Sequence, residues 1–333
     1  MSELVGAVLT RPSISMDTAA ALIRASWGID GELRPLPSER DRNFGVRVDG
    51  ADAFVLKISN RAEDPAFVEM QHAALEILGA AGVPCQRALE SETGTAIVRW
   101  SPAAGEEPLL VRVLTWLPGT PLADVPRHAR PNALLEDLGA TMGRAARALA
   151  EFDHPAARRV FQWDARRGLG VIDAHATAVD GPERAALLGH WRARLDHLRD
   201  VLPALGESVI HNDANDHNVL VADDRMSVSG LLDLGDAIRS VTVNELAVAA
   251  AYAALGAPDP LAVIAAVRAG FERVLPLTID EGAVVIDLVA LRLLTSVSLS
   301  AHQARLAPDD PYLTISEAPA WNLLARLADE LPS

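Results

Sequence analysis

The chain changes its hydrophobic pattern at one cluster of backbone-breaking residues, Leu117-Pro118-Gly119-Thr120-Pro121. Before this cluster, short apolar runs of strand length accompany two helical patterns, whereas long helical patterns dominate after it. At 333 residues the chain is also longer than one ordinary domain core. We therefore expect an α+β, bilobal fold, with a small antiparallel-sheet lobe over residues 1–117 and a mostly helical lobe over residues 118–333.

The first lobe is expected to hold two helices and an antiparallel sheet. The helical patterns span 15–26, where Ser15 or Asp17 can cap the first amides, and 64–81. The strand-like runs lie at 33–36, 44–48, 54–58, 95–100 and 109–116. Asp49-Gly50 falls between the second and third runs and predicts a β-hairpin there.

Helical periodicity dominates the second lobe. The patterns lie at 132–152, 182–202, 242–255, 260–274, 281–300 and 318–331. The segment 208–236 differs, because its apolar runs at 209–210, 219–221 and 228–232 are short and alternate with polar residues. This pattern predicts strands and loops that present a site.

Charge and composition restrict the class of ligand. The formal net charge of -15 and the pI near 5.0 argue against nucleic-acid binding, which needs clustered Lys and Arg, and suit a cationic or zwitterionic small molecule. The single cysteine, Cys85, excludes an internal disulfide and is expected to be a small buried hydrophobe. No targeting pattern and no run of about 18 apolar residues is evident, so we expect a cytoplasmic protein without a membrane partner.

The segment from His211 to Asn218 carries the strongest chemical signal. Phosphoryl transfer needs a carboxylate to orient the attacking hydroxyl and oxygen ligands that hold magnesium against the phosphates. Asp213 suits the first role, and Asn218, five residues later, suits the second together with Asp233. His211 is expected to brace the loop rather than to act as a base. The competing interpretation is a polar turn between two strands.

Lys57 lies inside an otherwise apolar strand-like run, Val55-Leu56-Lys57-Ile58. A lysine in this position needs an anionic partner, and the phosphates of a nucleotide would supply one. The competing interpretation is an edge lysine whose ammonium reaches water.

Together these segments resemble the aminoglycoside phosphotransferase and choline kinase-like superfamily. Within it the chain is most similar to the hydroxylysine kinase branch, which includes kinase-like domains fused to class III aminotransferases. The resemblance covers nearly the whole chain. It is carried by the segments 36–44, 55–59, 113–119, 163–164, 209–218 and 232–236, and by Glu245-Leu246-Ala247.

The resemblance implies a protein-kinase-like fold and transfer of the terminal phosphate of ATP or GTP, with Mg²⁺, to a small-molecule hydroxyl. Lys57 would bind phosphates, Asp213 would be the catalytic aspartate, and Asn218 and Asp233 would hold the metal. The segment containing Ser38, Arg40 and Asn43 would replace a glycine-rich phosphate loop. The backbone of Thr115, Trp116 and Leu117 would meet the nucleotide base.

Three positions depart from the superfamily pattern. Asn212 stands where glycine is usual; asparagine is compatible with a left-handed backbone, and a reshaped loop is the alternative. Leu234 replaces a common phenylalanine and keeps an apolar packing residue. The glutamate that usually pairs with the strand lysine is replaced by Gln71, because Glu69 falls on a different face of the helix.

The acceptor site is expected to contain acidic and aromatic side chains. Asp236 and Glu245 are candidate partners of an ammonium group. Asp236 could instead cap the helix beginning near Thr242 or brace the loop, and Glu245 could be a first-turn charge favoured by the helix dipole. Trp163 and Asp164 could line the same site. Arg292 could meet a substrate carboxylate, and a buried structural ion pair is the alternative.

These residues predict a kinase acting on an amine-bearing small molecule, with 5-hydroxylysine as the single best acceptor. Homoserine, ethanolamine, choline and an aminoglycoside fit the same chemistry, and the sequence does not separate ATP from GTP. A nucleotide-binding protein that keeps the fold without activity is the main alternative. A metal-dependent hydrolase fits less well, since only His211 and His217 lie close together in the sequence.

Overall fold

The computed structural model describes residues 11–38, 40–103, 105–306 and 317–331. The chain divides into two compact units, Met1–Pro118 and Gly119–Ser333, so the division falls within the cluster of breaking residues. Glu39, in the segment expected to bind phosphates, lies outside the described residues.

The first unit is built on an antiparallel sheet. In chain order its elements are α1 (Met16–Trp27), β1 (Glu32–Leu36), β2 (Arg42–Val48), β3 (Ala51–Ile58), α2 (Pro65–Ala80), β4 (Ala88–Leu89), β5 (Val98–Trp100) and β6 (Leu109–Thr115). The sheet order is β1-β2-β3-β6, and both β4 and β5 pair with β6. The predicted hairpin is confirmed as β2 and β3.

Helix α1 has the predicted ends. The Ser15 hydroxyl accepts a hydrogen bond from the Thr18 amide, while Asp17 is a first-turn acid. Gly28 ends the helix in the left-handed conformation. The strand predicted at 95–100 begins only at Val98, because the residues before it form a turn.

The two faces of the first sheet differ in chemistry. Helix α1 packs with Phe44, Leu56 and Ile58 in one hydrophobic core. Since alternate side chains of a strand point to opposite faces, Lys57 lies on the other face. There it is flanked across the strands by Asn43 on β2 and Arg112 on β6, and all three residues are buried. The first unit therefore has one apolar face and one face with a buried polar row.

The second unit is mostly helical. Its elements are β7 (Thr120–Pro121), α3 (Asn132–Ala148), α4 (Ala165–His175), α5 (Pro182–Arg194), α6 (Leu198–Val201), β8 (Glu207–Ile210), β9 (Val219–Val221), β10 (Val228–Leu231), β11 (Ile238–Val241), α7 (Asn244–Ala254), α8 (Pro260–Val274), α9 (Ile279–Leu306) and α10 (Glu317–Glu330). Strand β9 lies between β10 and β7, and β8 pairs with β11.

Two features of this unit differ from the sequence prediction. The single helix expected over 182–202 is divided into α5 and α6 by a tighter turn at Leu195–His197. Helix α4 was not expected, because Gly168 and Gly170 lower its helical propensity. Gly168 instead brings α4 against α9, where an added Cβ would lie 2.9 Å from the Leu291 side chain.

Helix α9 is long and apolar enough to cross a membrane by length and composition alone. In its most apolar window, however, 78% of the residues are buried inside the protein. Burial of this extent is the property of a core helix in the second unit.

Helices α3 and α8 approach each other through two glycines. A Cβ added at Gly139 would lie 1.8 Å from the Val267 carbonyl oxygen, and one added at Gly270 would lie 1.8 Å from that of Glu136. Backbone atoms cannot move aside as a flexible side chain can, so this spacing depends on the absence of side chains.

We expect Gly139→Ala to lower the free energy of unfolding by about 1 to 3 kcal/mol or more, because the methyl group forces the two helices apart. Thermal and denaturant unfolding followed by circular dichroism would measure the loss. Gly189→Ala in α5 is the matched control, since nothing lies within 4 Å of its added Cβ. The control should be neutral or stabilise by up to about 1 kcal/mol. Equal effects at the two sites would contradict the packing argument.

Candidate active site

The loop between β8 and β9 is fastened to the chain that follows β10. The Leu232 amide donates to the Asn218 carbonyl oxygen at 2.8 Å, and Nε2 of His211 lies 2.8 Å from the Leu232 carbonyl oxygen. The Asp213 amide donates to Nδ1 of His211 at 3.2 Å, so Nε2 carries the ring proton. Burial lowers the pKa of His211, which keeps the ring neutral. Both ring nitrogens are therefore used to brace the loop.

Three side chains hold the carboxylate of Asp213. Nη2 of Arg292 donates to Oδ1 at 2.8 Å. Nδ2 of Asn215 and Nδ2 of Asn218 donate to Oδ2 at 2.9 and 2.7 Å. Burial and the nearby Asp236 carboxylate raise the pKa of Asp213, while Arg292 opposes the shift. The result is a fixed carboxylate with a higher proton affinity than an ordinary aspartate.

Asn218 and Asp233 have the donor atoms that Mg²⁺ prefers. Asn218 uses its amide nitrogen toward Asp213, and its Oδ1 makes no hydrogen bond among the described residues. Asp233 is exposed, has a φ of 59°, and accepts the Gly235 amide on Oδ1 at 2.9 Å. Two protein oxygen ligands are usual for Mg²⁺, which takes the rest from phosphates and water. Such a site contains only one residue of the types His, Cys, Asp and Glu. It therefore agrees with the finding that no group of three or more of these residues suited to a metal occurs in the described part of the chain.

Asn212 is fully buried and has a φ of 65°, the left-handed conformation expected for this position. Its Nδ2 donates to the carbonyl oxygens of Trp163 and Asp236 at 3.3 and 3.4 Å. Its Oδ1 accepts from Nδ2 of Asn244 at 3.0 Å. The asparagine thus adopts a left-handed conformation that glycine also tolerates, and its side chain joins three segments around the loop.

We expect Asn212→Gly to destabilise the protein by about 1 to 3 kcal/mol, since the hydrogen bonds are lost while the backbone conformation is tolerated. Asn212→Ala should cost about 1 kcal/mol more, because alanine is disfavoured at positive φ. Urea unfolding of the two variants would measure both differences. A glycine variant more stable than the native protein would show that backbone strain outweighs the side-chain contacts.

Glu245 lies under the same loop, in the first turn of α7. It is only 1% exposed, and its Oε2 accepts the Asn212 amide at 3.2 Å. Burial raises the pKa of Glu245 to about 7, and the backbone amides of Asn212 and His211 partly oppose this shift. Its contacts support a role in holding the loop, which the sequence did not indicate, while its place in the first turn of α7 agrees with the helix-end alternative.

The raised pKa of Glu245 predicts a pH dependence of stability. The unfolded chain releases this proton near pH 4.5 and the folded protein near pH 7, so the contribution of Glu245 is full below about 4.5 and is lost as the pH rises through 7. Relative to Glu245→Gln, the native protein should lose on the order of 2 kcal/mol between pH 5 and 8. Denaturant unfolding at several pH values would measure this. Glu183→Gln, at an exposed first-turn position of α5, should show no such trend.

The other acceptor candidates have unequal surroundings. Trp163 places its ring 4.3 Å from the Arg292 guanidinium. Asp164 caps α4 through the Arg166 amide, binds the Arg166 side chain and accepts from the Ser240 hydroxyl at 2.6 Å, which favours a role in joining α4 to β11. Asp236 is partly exposed and close enough to raise the pKa of Asp213. It does not cap the following helix, because β11 lies between them.

Two residues expected to bind nucleotide, Asn43 and Lys57, lie beside Arg112 in the buried polar row of the first unit. Gln71 lies on the buried side of α2, whereas Glu69 is exposed, as their helical register predicts. The next residue, His72, has its pKa lowered to about 4 by burial and by Arg112, so it is neutral. Gln71 and His72 therefore place an amide and a neutral imidazole on the buried side of α2.

The remaining nucleotide candidates lie in a loop of the first unit and at the end of β6. The Ser38 hydroxyl accepts the Asp41 amide at 3.2 Å, and Arg40 is partly buried. The amides of Thr115 and Trp116 donate to the carbonyl oxygens of Arg87 and Ala53, which completes the sheet. A base meeting this segment would therefore use its carbonyl oxygens or the Leu117 amide.

Arg112 and Tyr252 did not emerge from the sequence as site candidates. Arg112 interrupts the apolar run Leu109–Thr115 as Lys57 interrupts its own strand, so the same signal was present. Tyr252 lies 5.5 Å from the Arg292 guanidinium, and nothing in its helical pattern distinguishes it from a core residue.

Comparison with known families and sequences now identifies the type of protein. The model of a family described as "Phosphotransferase enzyme family" matches residues 32–281. The chain belongs to this phosphotransferase family. Hydroxylysine kinase of Bos taurus is 31% identical over 347 aligned residues, covering 96% of this chain and 91% of that protein. Hydroxylysine kinase of Danio rerio is 30% identical, covering 96% and 92%.

Solved structures share the fold of this phosphotransferase. A microcompartment-associated aminopropanol kinase aligns with a TM-score of 0.72 at 17% identity, covering 94% of this chain and 98% of that one. Amicoumacin kinase, solved with AMP-PNP, Ca²⁺ and its ligand, aligns at 0.69 and 14% identity, covering 95% and 93%. The predicted kinase-like fold and the prediction of a small-molecule phosphotransferase acting on an alcohol group are confirmed.

Proposed function

We propose that this phosphotransferase transfers the terminal phosphate of ATP or GTP to the hydroxyl of a hydroxy amino acid, with 5-hydroxylysine as the preferred acceptor. The observation that carries the proposal is the carboxylate of Asp213, held by Arg292 and Asn218 beside a second acid, Asp236. The match to hydroxylysine kinases over 96% of the chain supports the choice of acceptor.

Asp213 is the catalytic residue in this proposal. Its carboxylate accepts a hydrogen bond from the acceptor hydroxyl, directs the oxygen toward the phosphorus and takes the proton as the new bond forms. The neighbouring amides of Asn215 and Asn218 fix its orientation. Positioning of this kind, together with electrostatic stabilisation, accounts for most of what a protein contributes to phosphoryl transfer.

Asn218 and Asp233 would hold Mg²⁺, which neutralises charge on the donor phosphates when bound. The oxygen donors and the hydrogen bonds that orient them fit that ion. Lys57, with Asn43 and Arg112 beside it on the sheet, would supply the cationic contacts to the phosphates. Ser38, Arg40 and Gln71 remain proposed contacts of the same group.

The acceptor is proposed to carry an ammonium group. Asp213, Asp236 and Asp233 are near enough to influence one another electrostatically, and a cationic acceptor offsets this concentration of negative charge. Arg292 supplies one buried positive charge in the same place. Acidic side chains beside one arginine match an acceptor that carries both ammonium and carboxylate groups better than they match a simple diamine or choline.

Turnover with Mg²⁺ and either ATP or GTP would test the function, using 5-hydroxylysine, homoserine, ethanolamine, choline and an aminoglycoside as acceptors. We expect 5-hydroxylysine to give the highest kcat/KM, with the phosphate found on its hydroxyl by mass spectrometry. Nucleotide binding without transfer to any acceptor would favour the catalytically silent alternative.

Asp213→Asn should lower kcat by about 10² to 10⁴-fold, because the amide keeps the shape of the side chain but cannot accept the proton. Nucleotide affinity should change by less than about twofold. Asp223→Asn makes the same chemical change at an exposed position of the β9–β10 turn and is the matched control. Steady-state kinetics and nucleotide titration would measure both. Full activity in the Asp213 variant would refute its catalytic assignment.

A further inference from the structure

Arg292 is a buried cation in the apolar helix α9. Its side chain is 5% exposed, and the neighbouring positions of the helix are mostly aliphatic core residues. A guanidinium in such surroundings keeps its charge and requires strong partners to offset the loss of hydration.

The partners of Arg292 use only part of its hydrogen-bonding capacity. A guanidinium has five N–H donors in a fixed plane. Nη2 donates to Asp213 at 2.8 Å, and Nη1 makes a longer bond of 3.3 Å to the Asn212 carbonyl oxygen. The Tyr252 hydroxyl is a further polar partner of the same guanidinium. Nε is buried and makes no hydrogen bond among the described residues.

Aromatic rings lie close to this guanidinium. The ring of Trp163 lies 4.3 Å from its central carbon and that of Tyr252 lies 5.5 Å away. Rings at these distances attract the cation. The guanidinium of Arg292 is a planar fork of the kind that binds carboxylates through two parallel hydrogen bonds.

The same ion pair engages the carboxylate that catalysis needs. Oδ2 of Asp213 already accepts from Asn215 and Asn218, and Oδ1 accepts from Arg292. A carboxylate oxygen accepts about two hydrogen bonds, so Oδ1 keeps one position for the acceptor hydroxyl. The bond from Arg292 draws charge from this oxygen, and it is the one that a competing carboxylate can take over.

We propose that Arg292 binds the carboxylate of an amino acid acceptor, and that this exchange removes the cation from Oδ1 of Asp213, so that this oxygen accepts the proton of the acceptor hydroxyl more readily. The inference rests on the proposed function and adds the part of the acceptor that the site recognises. The acidic side chains bind the ammonium groups, and Arg292 binds the carboxylate. An amino-alcohol without a carboxylate leaves Arg292 on Asp213 and reacts more slowly.

The kinetic test compares 5-hydroxylysine with 1,5-diaminopentan-2-ol, which is the same molecule without the carboxylate. In the native protein we expect kcat/KM to favour 5-hydroxylysine by at least about tenfold, the value of a charge-assisted hydrogen bond. In Arg292→Gln this ratio should fall to about threefold or less, and in Arg292→Lys it should be intermediate. Any general misplacement of Asp213 affects both acceptors and cancels in the ratio. A ratio unchanged in Arg292→Gln would overturn the inference.

A binding test does not depend on turnover. Calorimetric titration with L-lysine and with 1,5-diaminopentane measures the preference for a carboxylate directly. Asp213→Asn should increase that preference, because it weakens the competing partner of Arg292. The double variant Asp213→Asn with Arg292→Gln should show no such increase in the preference for a carboxylate. If the increase persists, it comes from the lost charge of Asp213 alone, and the transfer of Arg292 from Asp213 to the acceptor carboxylate is refuted. The Asp213 variant also keeps the inference testable if Arg292→Gln does not fold.

These outcomes separate the two proposals. Phosphorylation of 5-hydroxylysine with no influence of Arg292 on the carboxylate preference overturns this inference and leaves the proposed function intact. Arg292-dependent binding of L-lysine without phosphorylation of any acceptor supports this inference and contradicts the proposed function.

Discussion

The second unit depends on satisfying the buried backbone of the loop that carries Asp213. Peptide groups removed from water destabilise a protein unless they find hydrogen-bond partners. Here the partners come from distant parts of the chain, through Glu245 on α7 and Arg292 on α9. This requirement explains why two helices made largely of aliphatic residues each carry a buried ionisable side chain. The geometry of the proposed catalytic loop and the stability of the helical unit therefore depend on the same hydrogen bonds.

Much of the fold could be predicted because it follows from local rules. The Ser15 cap, the hairpin of β2 and β3 and the exact span of α8 all depend on residues near one another in sequence. The association of Asp213 with Asn218 could be predicted for the same reason, since both lie on one short loop. Asn212 is the instructive case: its left-handed backbone was foreseeable from residue type, but its contacts were not.

The rest depends on contacts that sequence spacing does not encode. Glu245 is 33 residues from Asn212, and only the folded chain shows that it supports the loop. Asp164 is a residue type that often binds ligands, yet its hydrogen bonds favour a structural role as a helix cap. Helix α4 was missed because a glycine that weakens the isolated helix permits its close packing in the protein. In each case a partner far along the chain decides the outcome.

The single cysteine has a practical consequence for following this phosphotransferase in solution. Cys85 is buried, and burial raises the pKa of its thiol to about 11. Only the thiolate reacts readily with maleimides or iodoacetamides, so this native sulfur should react slowly at neutral pH. A cysteine introduced on the surface would then be labelled selectively without removing the native one. Fluorophores or spin labels can therefore be attached at a chosen surface position in an otherwise unaltered chain.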